Sequence, residues 1–301
     1  MKKIFLILML VISSSISMAK QKLRIGVTLQ PYYSYVANIV EDKADVIPVV
    51  RLDKFDSHNY QVTAEDIKRM DTIDILVVNG IGHDEFVFDI LNASKNKDKI
   101  KVIFANKNVL LMPIAGTIKS EKILNPHTFI SITASIQQVY NIAKELGNID
   151  PENKKFYIKN ARNYAKKLRR IKTDALDKIK GLEGLDFRVA TAHGGYDYLF
   201  SEFGIEVKAV VEPAHGIQPS ASELEKVVNI IKKDNIDVIF GETAYNSKYV
   251  DTLNKETGVQ IRYLSHLSTG PYSKDGFEKF IKIDLDEIVS AIQEVAQKKG
   301  K

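Results

Sequence analysis

The sequence predicts an α/β protein of two lobes, each a mainly parallel sheet flanked by helices, with one long helix between them. Three observations lead there. Short β-type apolar runs alternate with amphipathic helical stretches along the chain, the alternation restarts after Gly184, and a helical pattern from Pro151 to Lys180 separates the two halves. In that pattern Tyr157, Ala161, Tyr164, Ala165, Leu168, Ile171, Ala175, Leu176 and Ile179 recur at steps of three and four, while Lys and Arg fill the opposite face. Asp150 offers a capping carboxylate, Pro151 suits the first helical position, and Gly181 ends the run. At 1.5 Å per residue such a helix runs roughly 45 Å, enough to brace two lobes or to lie along the surface of one.

In chain order, Met1 to Ala19 has a charged start (Lys2, Lys3), an apolar run from Ile4 to Ile12 and small residues at Ser17 and Ala19. That is the pattern of a cleaved secretory signal, so the mature chain is expected to begin at residue 20 and to lie in the periplasm. Strands are predicted at Leu23 to Thr28, Val46 to Val50, Ile73 to Val78 and Val102 to Ala105, with helices at Tyr32 to Val40, Ala64 to Met70 and Glu85 to Leu91. A less regular stretch, Val109 to Asn125, precedes His127, and a helix from Ser135 to Leu146 leads into the spine, closing a first lobe over residues 20–149. The spine takes residues 150–184. The second lobe, 185–301, has strands at Arg188 to Thr191, Glu206 to Val211, Val238 to Gly241 and Gln260 to Leu264. Its helices are Tyr196 to Glu202, Ala221 to Lys233, Ser247 to Glu256 and Leu285 to Gln297.

Composition narrows the function classes. The chain has no cysteine, which removes disulfides, thiolate metal sites and an acylated cysteine at the mature N-terminus. With 43 basic against 38 acidic side chains the formal charge is +5, and loss of Lys2 and Lys3 leaves +3, too small and too evenly spread to point to nucleic acid. A content of 45% hydrophobic and 27% charged residues suits a large folded core.

The candidate chemistry lies in six histidines: His58, His83, His127, His193, His215 and His266. Ligands in α/β sheets gather at the carboxyl ends of strands. His58, His193 and His266 each follow a predicted strand, and His127 precedes a helix after the irregular stretch. His58 and His127 belong to the first half, His193 and His266 to the second, so a closed cleft between lobes would bring them together. Imidazole is a strong zinc ligand, although no local spacing such as His-Glu-x-x-His is present.

Longer segments carry a resemblance. Asp56-Ser57-His58-Asn59-Tyr60, followed by Ala64-Glu65-Asp66, resembles the Asp-Pro-His-x-Tyr-Glu segment of the zinc and manganese substrate-binding proteins of ABC transporters, the ZnuA/TroA-like (cluster A-I) family. Asn79-Gly80-Ile81-Gly82 and Asn125-Pro126-His127 are similar to that family's Asn-Gly and Asp-Pro-His segments. Ala192-His193-Gly194-Gly195-Tyr196-Asp197-Tyr198-Leu199 resembles its Ser-His-x-Ala-Phe-x-Tyr-Leu segment, and Phe240-Gly241-Glu242 its Phe-x-Glu segment. The resemblance implies two Rossmann-like lobes in a TroA-like clamp, hinged on one backbone helix. It further implies a monomer that binds one divalent transition-metal ion and delivers it to a membrane permease; three or four imidazoles as donors put zinc ahead of manganese, which favours oxygen.

Carried over by position, His58, His127 and His193 are the first three expected ligands. The fourth departs from the family, whose Thr-Asp-Ser-like turn here reads Leu264-Ser265-His266-Leu267. His266 coordinates where Ser265 does so poorly, which makes it the expected fourth ligand, with Glu242 as the competitor or as an acceptor for an imidazole N–H. Ser57 replaces the usual proline and Asn125 the usual aspartate, which is expected to weaken support for the first two ligands. The His- and Asp-rich loop of many zinc-specific members is missing from Gly116 to Leu124. His83 and His215 fall outside the family's ligand segments and are expected to be surface or structural. A secreted zinc hydrolase is the main rival, but four imidazoles fill a tetrahedron and leave no position for an activated water, so no enzyme is expected. An adhesin-like surface protein has no supporting residue.

Overall fold

The computed structural model describes residues 21–52, 57, 60–114, 124–212, 219–243, 248–268 and 270–301. The predicted signal segment, His58 and His215 lie outside them, as does nearly all of the loop from Gly116 to Leu124.

Both halves form four-stranded parallel sheets. In the first, β1 (Leu23–Val27), β2 (Ala44–Pro48), β3 (Ile75–Val78) and β4 (Lys101–Phe104) are ordered β2-β1-β3-β4. The second repeats the plan with β5 (Val189–Thr191), β6 (Val207–Val210), β7 (Val238–Glu242) and β8 (Gln260–Leu264) in the order β6-β5-β7-β8. Ile75, Leu76, Val77 and Val78 are all buried because helices cover both faces of a parallel sheet, so an inner strand reads as a continuous apolar run. In each sheet the strand order reverses between its first and third strands, and the crevice beyond the carboxyl ends at that switch is where such folds hold ligands.

The helices are α1 (Gln30–Val40), α2 (Ala64–Met70), α3 (Phe86–Ala93), α4 (Ile132–Ile149), α5 (Lys154–Asp177), α6 (Asp197–Ser201), α7 (Ala221–Lys233), α8 (Lys248–Thr257) and α9 (Gly276–Lys298). Reciprocal caps set the starts of α2 and α7: Thr63 accepts from Asp66 N while Asp66 accepts from Thr63 N, and Ser220 and Glu223 do the same. The spine α5 is preceded by one 3₁₀ turn, Pro151–Asn153. Tyr157, Ala161, Tyr164, Ala165, Leu168 and Ala175 form its buried stripe, against α4, α1 and α9. Asp150 does not cap it; the carboxylate accepts instead from Tyr157 Oη and Asn153 Nδ2, both at 2.7 Å.

The C-terminal helix begins at Gly276 rather than Leu285. Its early turns bury Phe277 edge-on against Tyr35, with ring centroids 5.0 Å apart, and Ile281, while Glu278 is buried too. A buried glutamate hides the helical stripe from a hydropathy reading. It is tolerated because Tyr164 Oη donates to it at 2.8 Å and Lys167 Nζ at 2.6 Å. Among the described residues no helix is long and apolar enough to cross a membrane.

Candidate metal centre

Two loops of the first sheet build one wall of the cleft. After β3 the chain turns through Asn79 to Asp84, with Gly80 at φ 74° and Gly82 at φ 114°, conformations that side chains other than glycine rarely adopt. The buried Asp84 carboxylate holds this turn: Oδ2 accepts from Thr28 Oγ1 at 2.6 Å and from Asn79 N at 2.8 Å, and Oδ1 accepts from Gly80 N at 3.2 Å. Burial pushes the Asp84 carboxyl above its ordinary range, against the pull of those three donors. Asn79 then joins this turn to the next loop, donating from Nδ2 to the Pro126 carbonyl at 3.0 Å and accepting from Tyr32 Oη at 2.8 Å.

That next loop presents His127. Its backbone N–H donates to Asn125 Oδ1 at 3.0 Å, and its Nδ1 lies 2.8 Å from the same oxygen. An amide oxygen can only accept, so Nδ1 carries the proton and Nε2 faces the cleft with its lone pair.

The second sheet supplies the opposite wall. His193 follows β5, and its Nε2 lies 3.1 Å from His127 Nε2. Gly195 makes that approach possible: a Cβ there would stand 3.0 Å from His193 Cδ2 and 3.2 Å from two carbons of the His127 ring. His266 follows β8, with Nδ1 2.7 Å from Ser268 Oγ. Ser57 Oγ donates to the same Ser268 oxygen at 3.1 Å, so the hydroxyl of Ser57 steadies the partner of His266, which proline at 57 could not do.

Glu242, at the carboxyl end of β7, is buried. It lies near Asp284 and Tyr196, whose ring is 6.5 Å from that of His266. Burial pushes the Asp284 carboxyl well up, as does the nearby Glu242, although Ser265 N donates to it at 2.8 Å. Burial likewise pushes the Tyr196 hydroxyl well up, as do the nearby Glu242 and Asp284.

Among the described residues, ligand atoms of His83, His127 and His266 all lie within 4.8 Å of one another. The histidine rings form one packed group: His127 is 4.8 Å from His193 and 4.9 Å from His266, centroid to centroid, and His193 is 5.5 Å from His266. Three expected ligands therefore meet across the lobes, and the fourth, His58, lies outside the described residues. Neither His193 nor Glu242 is part of the group within 4.8 Å; His193 is placed beside it by its contact with His127.

His83, expected to be surface or structural, is not at the surface. It is 5% exposed, its ring stacks on His266 at 5.4 Å, and it meets His127 and Phe129 edge-on at 4.9 and 4.8 Å. His83 also follows a strand at its carboxyl end, so its place in the sheet carries the signal although the residue lies outside the family's ligand segments.

Asn125 also has a physical reason to depart from aspartate. Its Nδ2 crosses the cleft, donating to the Gly194 carbonyl at 2.9 Å and to Asp197 Oδ2 at 2.7 Å, and Tyr198 Oη donates to the Asn125 carbonyl at 3.0 Å. An aspartate at 125 would lose both donors and set two buried carboxylates face to face. Asn125→Asp is expected to lower stability by about 2–4 kcal/mol at pH 7, less at acid pH where one proton shared by the pair restores a bond. Adding Asp197→Asn should recover most of the loss. Thermal melts of both variants across pH check this, and an unimpaired Asn125→Asp single variant counts against the cross-lobe bond.

A second tether lies beside the cleft. Glu202, at the end of α6, accepts from Ser131 Oγ at 2.5 Å and from Thr133 N and Oγ1 at 2.8 Å, and pairs with Lys172 of the spine. Burial alone would raise its carboxyl, but Lys172, Ser131 and Thr133 N hold it below the usual range.

A family model described as ZnuA, zinc-uptake complex component A, periplasmic, matches residues 25–291. The chain is similar to the high-affinity zinc uptake system protein ZnuA of Bacillus subtilis, 28% identical over 257 residues that cover 82% of this chain and 79% of the relative. It is also similar to the manganese ABC transporter substrate-binding lipoprotein PsaA of Streptococcus mitis, 25% identical over 283 residues and 90% of each chain. Among solved structures, the substrate-binding protein FpvC of Pseudomonas aeruginosa is 50% identical. Its complex with Ni2+ superposes with a TM-score of 0.84 over 91% of this chain and 98% of that one. Its complex with Mn2+ gives 0.85 over 91% and 100%.

Proposed function

Because the chain belongs to the family of the periplasmic zinc-uptake component ZnuA, we propose that it captures one divalent transition-metal ion, zinc ahead of manganese, between its lobes and delivers it to an ABC permease. It is a metal-binding substrate-binding protein of the ABC-transporter type, and its named relatives are transport proteins. The observation that carries the reading is the meeting of His127, His193 and His266 from both lobes in one buried group at the strand ends. His58 joins them as a ligand on the strength of the resemblance, with Glu242 as the alternative to His266 or as a supporting acceptor.

Donor chemistry supports zinc over manganese. Imidazole nitrogens suit zinc, nickel and copper, whereas manganese favours carboxylate and water oxygens, and the group of ligand atoms within 4.8 Å of one another is made of imidazoles. The ion is cargo, so the site must also release it. Hydrogen bonds that cross the cleft, Asn125 to Asp197 and Ser57 to Ser268, are groups that opening would break and water would replace. A periplasmic monomer that meets its permease in the membrane fits the predicted signal segment.

Metal-free protein titrated with Zn2+ tests this reading. One ion per chain is expected by native mass spectrometry. Zinc at a hundred times Kd should stabilise the fold by about 2.7 kcal/mol and raise Tm by roughly 5 °C. Protein that takes up no zinc and shows no thermal shift sinks the proposal, and tighter binding of Mn2+ in a competition titration reverses the order of metals.

A further inference from the structure

We propose that His83 is itself a ligand of the cargo ion, so that the donor set drawn from the described residues is four imidazoles, His83, His127, His193 and His266. This rests on the metal-binding reading and narrows its chemistry.

The geometry is that of a ligand group. At metal–nitrogen bonds near 2.0–2.1 Å, neighbouring nitrogens of a tetrahedron stand about 3.3 Å apart and opposite nitrogens of an octahedron about 4.2 Å. The ligand atoms of His83, His127 and His266 already lie within 4.8 Å of one another, and His193 Nε2 is 3.1 Å from His127 Nε2. His193, outside that group of three, would join it through the Nε2 that already lies beside His127 Nε2.

His83 is also held as a ligand is held. The Asp84 carboxylate grips three donors of the turn next to it, and Gly82 brings the turn against Pro126, with 3.6 Å between a Cβ built there and Pro126 Cβ. Asn79 Nδ2 donates to the Pro126 carbonyl, fixing the His83 turn to the His127 loop. The two imidazoles of the first lobe therefore move as a unit, while His193 and His266 approach from the second.

Packing alone is a poor account of this residue. Among Phe129, His127 and His266 an apolar side chain would bring no polar nitrogen to desolvate, whereas this imidazole brings two. An imidazole in a buried group of imidazoles is worth its desolvation when a cation sits among them. One more nitrogen moves the site further toward the nitrogen-preferring ions, Zn2+ and Ni2+, and away from Mn2+.

Calorimetric titration of Zn2+ into metal-free wild type, His83→Phe, His83→Ala and His127→Ala decides the matter, with apo melting curves run on each. His83→Phe keeps a ring in the stack and removes the donor. It and His83→Ala should each raise the zinc Kd at least about tenfold, as His127→Ala does. The visible spectrum of the Co2+-loaded protein should change in both His83 variants, and His83→Asp should narrow the preference for Zn2+ over Mn2+ at least about tenfold. If His127→Ala loses zinc while His83→Phe binds it as wild type does, with the same cobalt spectrum, His83 only packs and this inference falls alone. Wild type that binds no metal overturns both this inference and the function on which it rests.

Discussion

Lowering the pH from 7 to 5 is expected to weaken zinc binding at least about a hundredfold, because each coordinating imidazole must be neutral and protons compete with the ion. With an ordinary pKa near 6.5, an imidazole is about three-quarters neutral at pH 7 and about 3% neutral at pH 5, a factor of roughly 25 for each ligand. Three independent ligands would multiply to about 10⁴. Ligands that share one ion titrate as a coupled group rather than independently, which sets the expectation at the lower figure. The direction is fixed: neutral imidazole is the binding form, so affinity is full above the titration range and is lost as pH falls. Competition titrations at pH 7, 6 and 5 measure it. An affinity that stays flat would mean that carboxylates hold the ion, with Glu242 the first to consider.

The second large effect concerns single ligands. His127→Ala, His193→Ala and His266→Ala are each expected to weaken zinc binding at least tenfold, and His58→Ala likewise, since loss of a donor is at least as serious as the roughly 10 to 100-fold cost of losing a supporting residue. His127 should be the most costly. Its Nδ1 is anchored on Asn125, its Nε2 is nearest to His193, and its ring touches those of His83 and His266. Glu242→Gln separates the alternatives for the fourth position, costing less than His266→Ala if Glu242 supports and more if it coordinates. Apo melting curves should accompany each variant, because a buried histidine also fills space. Should His266→Ala bind zinc like wild type while Glu242→Gln abolishes binding, the fourth ligand is the carboxylate.

The alternation of strand and helix was legible because it is a local signal. A β-strand buried on both faces must be apolar throughout, and a helix on a sheet must be apolar on one stripe, whatever the partner. The bounds of α2 and α7 came out as expected because their reciprocal caps are written within four residues of chain. The start of α9 did not, since Glu278 looks like a surface residue until Tyr164 and Lys167, more than a hundred positions away, are placed beside it. Asp150 misled for a similar reason: a capping residue type at a helix start was drawn off by Tyr157 on the first turn.

The site divides in the same way. By itself the sequence determined that the chain is a two-lobe α/β protein of this family and that His127, His193 and His266 belong to segments which end strands or open helices. It could not determine that His83 joins them or why Asn125 replaces aspartate. Those depend on which loops the strand orders β2-β1-β3-β4 and β6-β5-β7-β8 bring to the two sides of one cleft. Only the tertiary structure lays the His83 ring on His266 and the Asn125 amide on Asp197, pairs separated by 183 and 72 positions. Burial pattern is encoded residue by residue along each element, whereas the meeting of two loops depends on the packing of every element between them.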